Sequence, residues 1–116
     1  MRDADFLKDG VFRTCDNKGF HLTFPNGVTL STQFGGGNYG SNYDARIGQE
    51  SELRSVGADT VEVAAFDKEG GKWRTQEAAV LMGDKDPGDT VLGYIDMEKW
   101  LAFMDAVRKL PPTVAV

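Results

Sequence analysis

Three stretches of this 116-residue chain carry residue types that could do chemistry. Gly35-Gly36-Gly37-Asn38-Tyr39-Gly40 matches G-x-G-x-x-G after a strand-like run, a pattern that lets a backbone approach a pyrophosphate closely. That chemistry needs a helix opening on the loop and a βαβ unit around it. Here Ser41-Asn42-Tyr43 begins no amphipathic helix, and the chain is too short for a doubly wound domain. No Lys follows the glycines, which removes the P-loop reading as well. His21 and Cys15, the only residues of their types, could meet across a first hairpin, but a nucleophile and its base need a third group to orient them. The alternating run around His21 instead points that ring at solvent or at a backbone carbonyl. Asp84-Lys85-Asp86-Pro87-Gly88-Asp89 resembles part of a calcium loop, yet Ile95 stands where the closing Glu belongs. It reads as a solvated turn. No catalytic residue, cofactor or metal site is expected, and the chain is read as a non-enzyme.

The glycine loop has a second reading, as a binding surface. From Gly19 to Tyr43 there is no Asp, Glu, Lys or Arg, although 27% of the chain is charged. Five of the twelve aromatics fall in that stretch. Consecutive glycines permit close backbone approach. Tyrosines beside Asn and Ser combine rigid aromatic area with small hydrogen-bonding groups, the composition of adaptable binding loops. Gly36, Gly37, Asn38, Tyr39, Asn42 and Tyr43 are therefore the candidate contact residues. The plainer alternative is a long surface loop whose tyrosines fold back on the sheet.

These residues need a scaffold, and the sequence pattern outlines one. Gly10 to Cys15 suits a short first strand. Phe20, Leu22 and Phe24 alternate with polar residues, as do Val28, Leu30, Thr32 and Phe34 after them, which is the period of half-buried strands. Pro25-Asn26-Gly27 between them suits a three-residue hairpin loop. If Phe24 pairs with Val28, the apolar residues of both strands share one face. Residues 35–48 read as a long loop, and Glu50 to Val56 is ambiguous between a helical turn and irregular chain. Thr60 to Phe66 reads as a strand, Asp67 to Gly71 as a turn, and Lys72 to Gln76 as the strand returning from it. A shorter strand is expected over Thr90 to Ile95. Asp96 caps a helix over residues 97–109, with an apolar stripe of Met97, Trp100, Leu101, Met104 and Val107 beside Phe103. Pro111-Pro112 stops it. The economical packing is a single α+β domain over residues 1–116: an antiparallel sheet of about five or six strands with the C-terminal helix across one face.

Charge narrows the partners. Thirteen Lys and Arg against eighteen Asp and Glu leave a net charge of −5, and the basic residues are scattered, which weighs against nucleic acid. No apolar run is long enough to span a membrane, and the first residues lack the apolar core of a secretory signal. One cysteine suits a reducing compartment. A cytoplasmic domain is expected. Apolar residues left exposed on the helix would favour a homodimer or an interface with a host protein.

The run from Gly19 to Tyr39, GFHLTFPNGVTLSTQFGGGNY, is similar to a segment of small bacteriophage accessory proteins, mostly of uncharacterised function. Val61 to Asp67 before a turn and Trp73, and Gly93-Tyr94 before the terminal helix, extend the resemblance over about residues 10 to 110. It implies a phage protein made in the host cytoplasm that binds a host or host-defence protein, with no catalytic residues to carry over. Binding through the Gly35 to Tyr43 loop and its neighbouring strand edge is the leading expectation. The alternative is a small-ligand, nucleotide-like binding protein, with a tyrosine stacked on a ring and glycine N–H groups holding phosphate.

Overall fold

A computed structural model describes residues 10–15, 18–45, 55–85 and 88–112. Five strands form one antiparallel sheet whose spatial order follows the chain. They are β1 (Phe12–Thr14), β2 (Gly19–Thr23), β3 (Val28–Gln33), β4 (Val61–Asp67) and β5 (Leu92–Ile95). Among the described residues two helices join the sheet, α1 (Thr75–Leu81) between β4 and β5, and α2 (Met97–Arg108) after β5. This is the expected α+β architecture, with the C-terminal helix packed against the sheet.

The central hairpin forms for the reason its alternation suggests. Leu22 pairs with Leu30 and Thr23 with Thr29, and the Phe24 amide donates to the Val28 carbonyl at 3.0 Å. Phe20, Leu22 and Phe24 therefore lie on one face with Val28, Leu30 and Thr32. β4 continues that face, with Ala65 opposite Leu30 and Val63 opposite Thr32. Val28, Leu30, Val63 and Ala65 are buried against Phe103, Ala106, Val107 and Leu110 from the α2 segment, and Ala78 of α1 joins them. Burial of each large apolar side chain contributes roughly 1.5–3 kcal/mol, which makes this layer the main source of stability.

Polar contacts fix the helices in place. Asp96 accepts from the Lys99 amide at 2.9 Å and so caps α2. The Trp100 indole donates to Thr32 Oγ1 at 2.8 Å, which sets the helix's rotation over β3. At the other end, Asn26 in the hairpin turn donates to the carbonyls of Val107 and Leu110 at 2.8 and 3.1 Å. Arg74, buried ahead of α1, donates to Asp67 at 2.8 Å, to Glu77 and to the Pro111 carbonyl. Burial disfavours its charge, but the hydrogen bonds to Asp67 and Glu77 outweigh that and raise the guanidinium's pKa.

Several expectations need correction. Lys72 to Gln76 is not a returning strand. Trp73 makes one isolated bridge to Phe66, and Thr75 then opens α1. Its hydroxyl both accepts from the Ala65 amide and donates to the Ala65 carbonyl. With that segment helical the sheet has five strands, the lower of the two expected counts. The apolar stripe of α2 is rotated toward Phe103, Ala106 and Val107, leaving Met97 66% and Leu101 43% exposed. Trp100 and Met104 pack only partly buried at the edge of the core. Register places Arg13, rather than Cys15, opposite His21. The ambiguous segment over Glu50 to Val56 lies mostly outside the described residues, as do residues 46–48 at the end of the expected loop.

Candidate binding site

The glycine loop is a folded structure pinned to the sheet. Its nearest anchor is Glu62, whose neighbours Val61 and Val63 face the helices and whose own carboxylate lies on the opposite face. That carboxylate accepts from the Tyr39 amide at 3.0 Å and from Asn38 Nδ2 at 3.5 Å. The Tyr39 carbonyl accepts from the Tyr94 amide at 2.7 Å. One residue of the loop is thereby tied to both β4 and β5 through its backbone.

Each candidate residue has a distinct place. Asn38 braces the turn: its Oδ1 accepts from the Gly35 amide at 2.9 Å. Asn42 ties the loop's second half to the strand ends, donating to the carbonyls of Phe34 and Gly57 at 2.7 and 2.9 Å. The Gly37 amide donates to the Tyr43 carbonyl at 2.9 Å, and Gly36 is buried and has a partner. Gly40 is required by space, because a Cβ there would come within 2.6 Å of the Thr60 carbonyl oxygen. The amides of Gly35, Gly37 and Gly40 are thus engaged inside the loop, an arrangement unlike a cradle of N–H groups turned outward to phosphate.

The tyrosine rings point to a different use. Tyr39 and Tyr43 stack face to face, with centroids 5.6 Å apart and planes within 8°. They remain 48% and 44% exposed.

Sequence reasoning gave Tyr94 no part in this site. β5 shifts register between its pairings Val61–Ile95 and Val63–Leu92, and Gly93-Tyr94 forms the irregularity. Gly93 is needed there because a Cβ would meet Tyr39 Cβ at 2.6 Å. Tyr94 follows at φ 54°, the one described non-glycine residue with positive φ, and is 60% exposed. A large aromatic residue in that region is uncommon, since Cβ crowds the carbonyl oxygen. The Gly93-Tyr94 dipeptide was the only signal available, and it marks a bulge as readily as a turn.

No family model, curated protein or solved structure matches the chain.

A second concave surface lies on the helix side of the sheet. It is a groove of about 210 Å³ lined by Phe20, Phe34, Val61 and Trp100, with Asp59 and Asp96 among its lining residues. Phe20 meets Trp100 edge to face at 6.2 Å. Among the described residues no group of three or more His, Cys, Asp and Glu could hold a metal ion, and no helix is long and apolar enough to cross a membrane.

Proposed function

We propose that this chain is a non-enzymatic binding protein that docks on a protein partner through Tyr39, Tyr43 and Tyr94. The observation that carries this reading is their convergence. All three tyrosines of the chain belong to one junction between loop and edge strand, and each is between 44% and 60% exposed. Tyrosine supplies large, rigid, amphipathic contact area with little side-chain entropy to lose, which is why it anchors protein interfaces. A backbone that holds an exposed Tyr94 at positive φ retains strain, and such strain persists where the surroundings over-determine it, commonly at contact sites. The resemblance to bacteriophage accessory proteins makes the partner a host or host-defence protein, met in the host cytoplasm.

Tyr39 is tied to Glu62 and Tyr94 by main-chain groups, and an alanine keeps both bonds and the Cβ that packs on Gly93. Tyr39→Ala/Tyr43→Ala should therefore keep the fold, with an unfolding midpoint lowered only by the lost ring stacking and partial burial. Tagged wild type and variant are passed over host lysate, and any enriched protein is purified and titrated directly. The reading expects one protein bound by wild type and lost by the variant. Equal binding by both overturns the assignment of the surface.

A further inference from the structure

On the sheet face away from the helices lies a pocket of about 330 Å³ whose walls carry Arg13, His21, Thr23, Thr29, Phe66 and Lys68. Strand register assembles them in a row. Arg13 sits opposite His21, Thr23 opposite Thr29, and Thr29 opposite Phe66. Lys68 is two residues beyond Phe66, and its backbone amide is held by the Gly27 carbonyl at 3.0 Å. Four strands and a turn thus contribute to one surface.

The described residues that line that surface bring basic, hydroxyl and aromatic groups together. Two permanent cations and an imidazole converge on it, together with two hydroxyls that bond each other at 2.8 Å. No carboxylate lines the pocket among the described residues. The chain as a whole carries −5, so this cluster does not follow from overall charge. Burial, and then the charges of Arg13 and Lys68, lower the pKa of His21. An imidazole on which two cations act sits in a positive potential, and an anion bound among the three would relieve it.

One wall is aromatic. His21 stands edge-on to Phe66 at 5.5 Å, and Phe66 edge-on to Trp73 at 6.0 Å, so an apolar ring surface adjoins the cations. The volume falls in the range of small-molecule sites. We propose that this pocket binds a small phosphate-bearing molecule of nucleotide size, its phosphate between Arg13, His21 and Lys68 and its ring against Phe66. Thr23 and Thr29 share one of their two protons in their mutual bond, and the hydroxyl that accepts there keeps its own proton to donate to a remaining phosphate oxygen. This site is separate from the tyrosine surface, and neither reading depends on the other.

His21 is the only histidine, which makes its ring resonances an unambiguous reporter. The protein is titrated by NMR with adenosine 5′-monophosphate, with inorganic phosphate and with adenosine. The nucleotide should shift the His21 and Phe66 resonances saturably, phosphate alone should bind more weakly, and adenosine should bind weakest. Arg13→Gln and Lys68→Gln should each weaken nucleotide binding about tenfold, as loss of a charge-assisted hydrogen bond does. Lys99→Gln makes the same change in net charge on α2 and should leave binding unchanged. The same spectra report whether each variant is folded. No saturable shift at millimolar nucleotide overturns the site. Equal weakening by Lys99→Gln overturns it in favour of diffuse electrostatics, and phosphate binding as tightly as the nucleotide overturns the ring contact.

Discussion

Asn26 and Val107 lie 81 residues apart in the chain, and the side-chain amide of the first donates to the carbonyl of the second at 2.8 Å. The same amide group reaches the Leu110 carbonyl at 3.1 Å, while its oxygen accepts from the Val28 amide at 3.0 Å. The turn of the central hairpin therefore adds a donor to the Val107 carbonyl near the end of α2, which also accepts from the Leu110 amide at 3.2 Å, and to the Leu110 carbonyl just beyond the helix. It also locks its own geometry. One residue couples the local hairpin to the packing of the last helix.

Asn26→Ala should destabilise the fold by about 3 kcal/mol, from roughly 1 kcal/mol for each of the three lost hydrogen bonds. Asn26→Asp keeps the oxygen that serves the turn but removes the donor and sets a negative charge at the helix C-terminus, which is unfavourable. It should be at least as damaging as the alanine. Urea denaturation of both variants checks this, and an Asp variant as stable as wild type would show that the turn bond alone matters.

Arg74 and Asp67 form a buried ion pair, with side chains 6% and 7% exposed. Arg74→Met leaves the Asp67 carboxylate buried without that partner, a change that typically destabilises by about 3–5 kcal/mol. Arg74→Met/Asp67→Asn should be less destabilised than Arg74→Met alone, because the buried carboxylate that lost its guanidinium is itself made neutral. Chemical denaturation of the two variants supplies the comparison. A double variant weaker than the single would place the stabilisation in the Arg74 bonds to Glu77 and Pro111 instead.

His21 gives stability a pH dependence of defined sign. Its pKa is lowered in the folded protein by burial and by Arg13 and Lys68, so the unfolded chain binds more protons just below its ordinary value of about 6.5. The stability contributed by the neutral ring is full above that value and is lost as pH falls through the lowered one. His21→Gln should flatten the fall in unfolding midpoint as pH drops below about 6.5. A variant that loses stability on acidification as steeply as wild type would assign the slope to the carboxylates.

How much of this was legible in the chain depended on whether the controlling contact was local. The register of β2 and β3 followed from period-2 alternation and a three-residue turn, and Asp96 announced α2 because a cap is read one residue from the helix it starts. α1 was missed because Trp73, two residues past the turn, bridges to Phe66, so the chain there does look like a returning strand. Thr75 then turns inward to bond both backbone groups of Ala65 on β4, a side-chain-to-backbone contact that apolar periodicity does not encode. The tyrosine loop was recognisable from composition, but its anchors Glu62 and Tyr94 come from other strands. The pocket of Arg13, His21 and Lys68 was invisible for the same reason, since its cations meet only after three strand pairings align them.

Tyr94 offers the sharpest separation of folding from function. At φ 54° any residue with a Cβ carries roughly 1–2 kcal/mol of local strain that glycine does not. Tyr94→Gly and Tyr94→Ala both delete the ring, so both should lose the proposed partner. They should differ in stability: Gly more stable than Ala by about 1 kcal/mol, because the relief of strain exceeds the extra unfolded-state freedom of glycine. Thermal unfolding beside the binding titration measures both quantities on the same samples. Equal stabilities would mean that the bulge relaxes when the ring is removed, and that Tyr94 holds its own backbone in place. A glycine variant that is stable and no longer binds would mean that the strain is retained for the sake of the exposed ring.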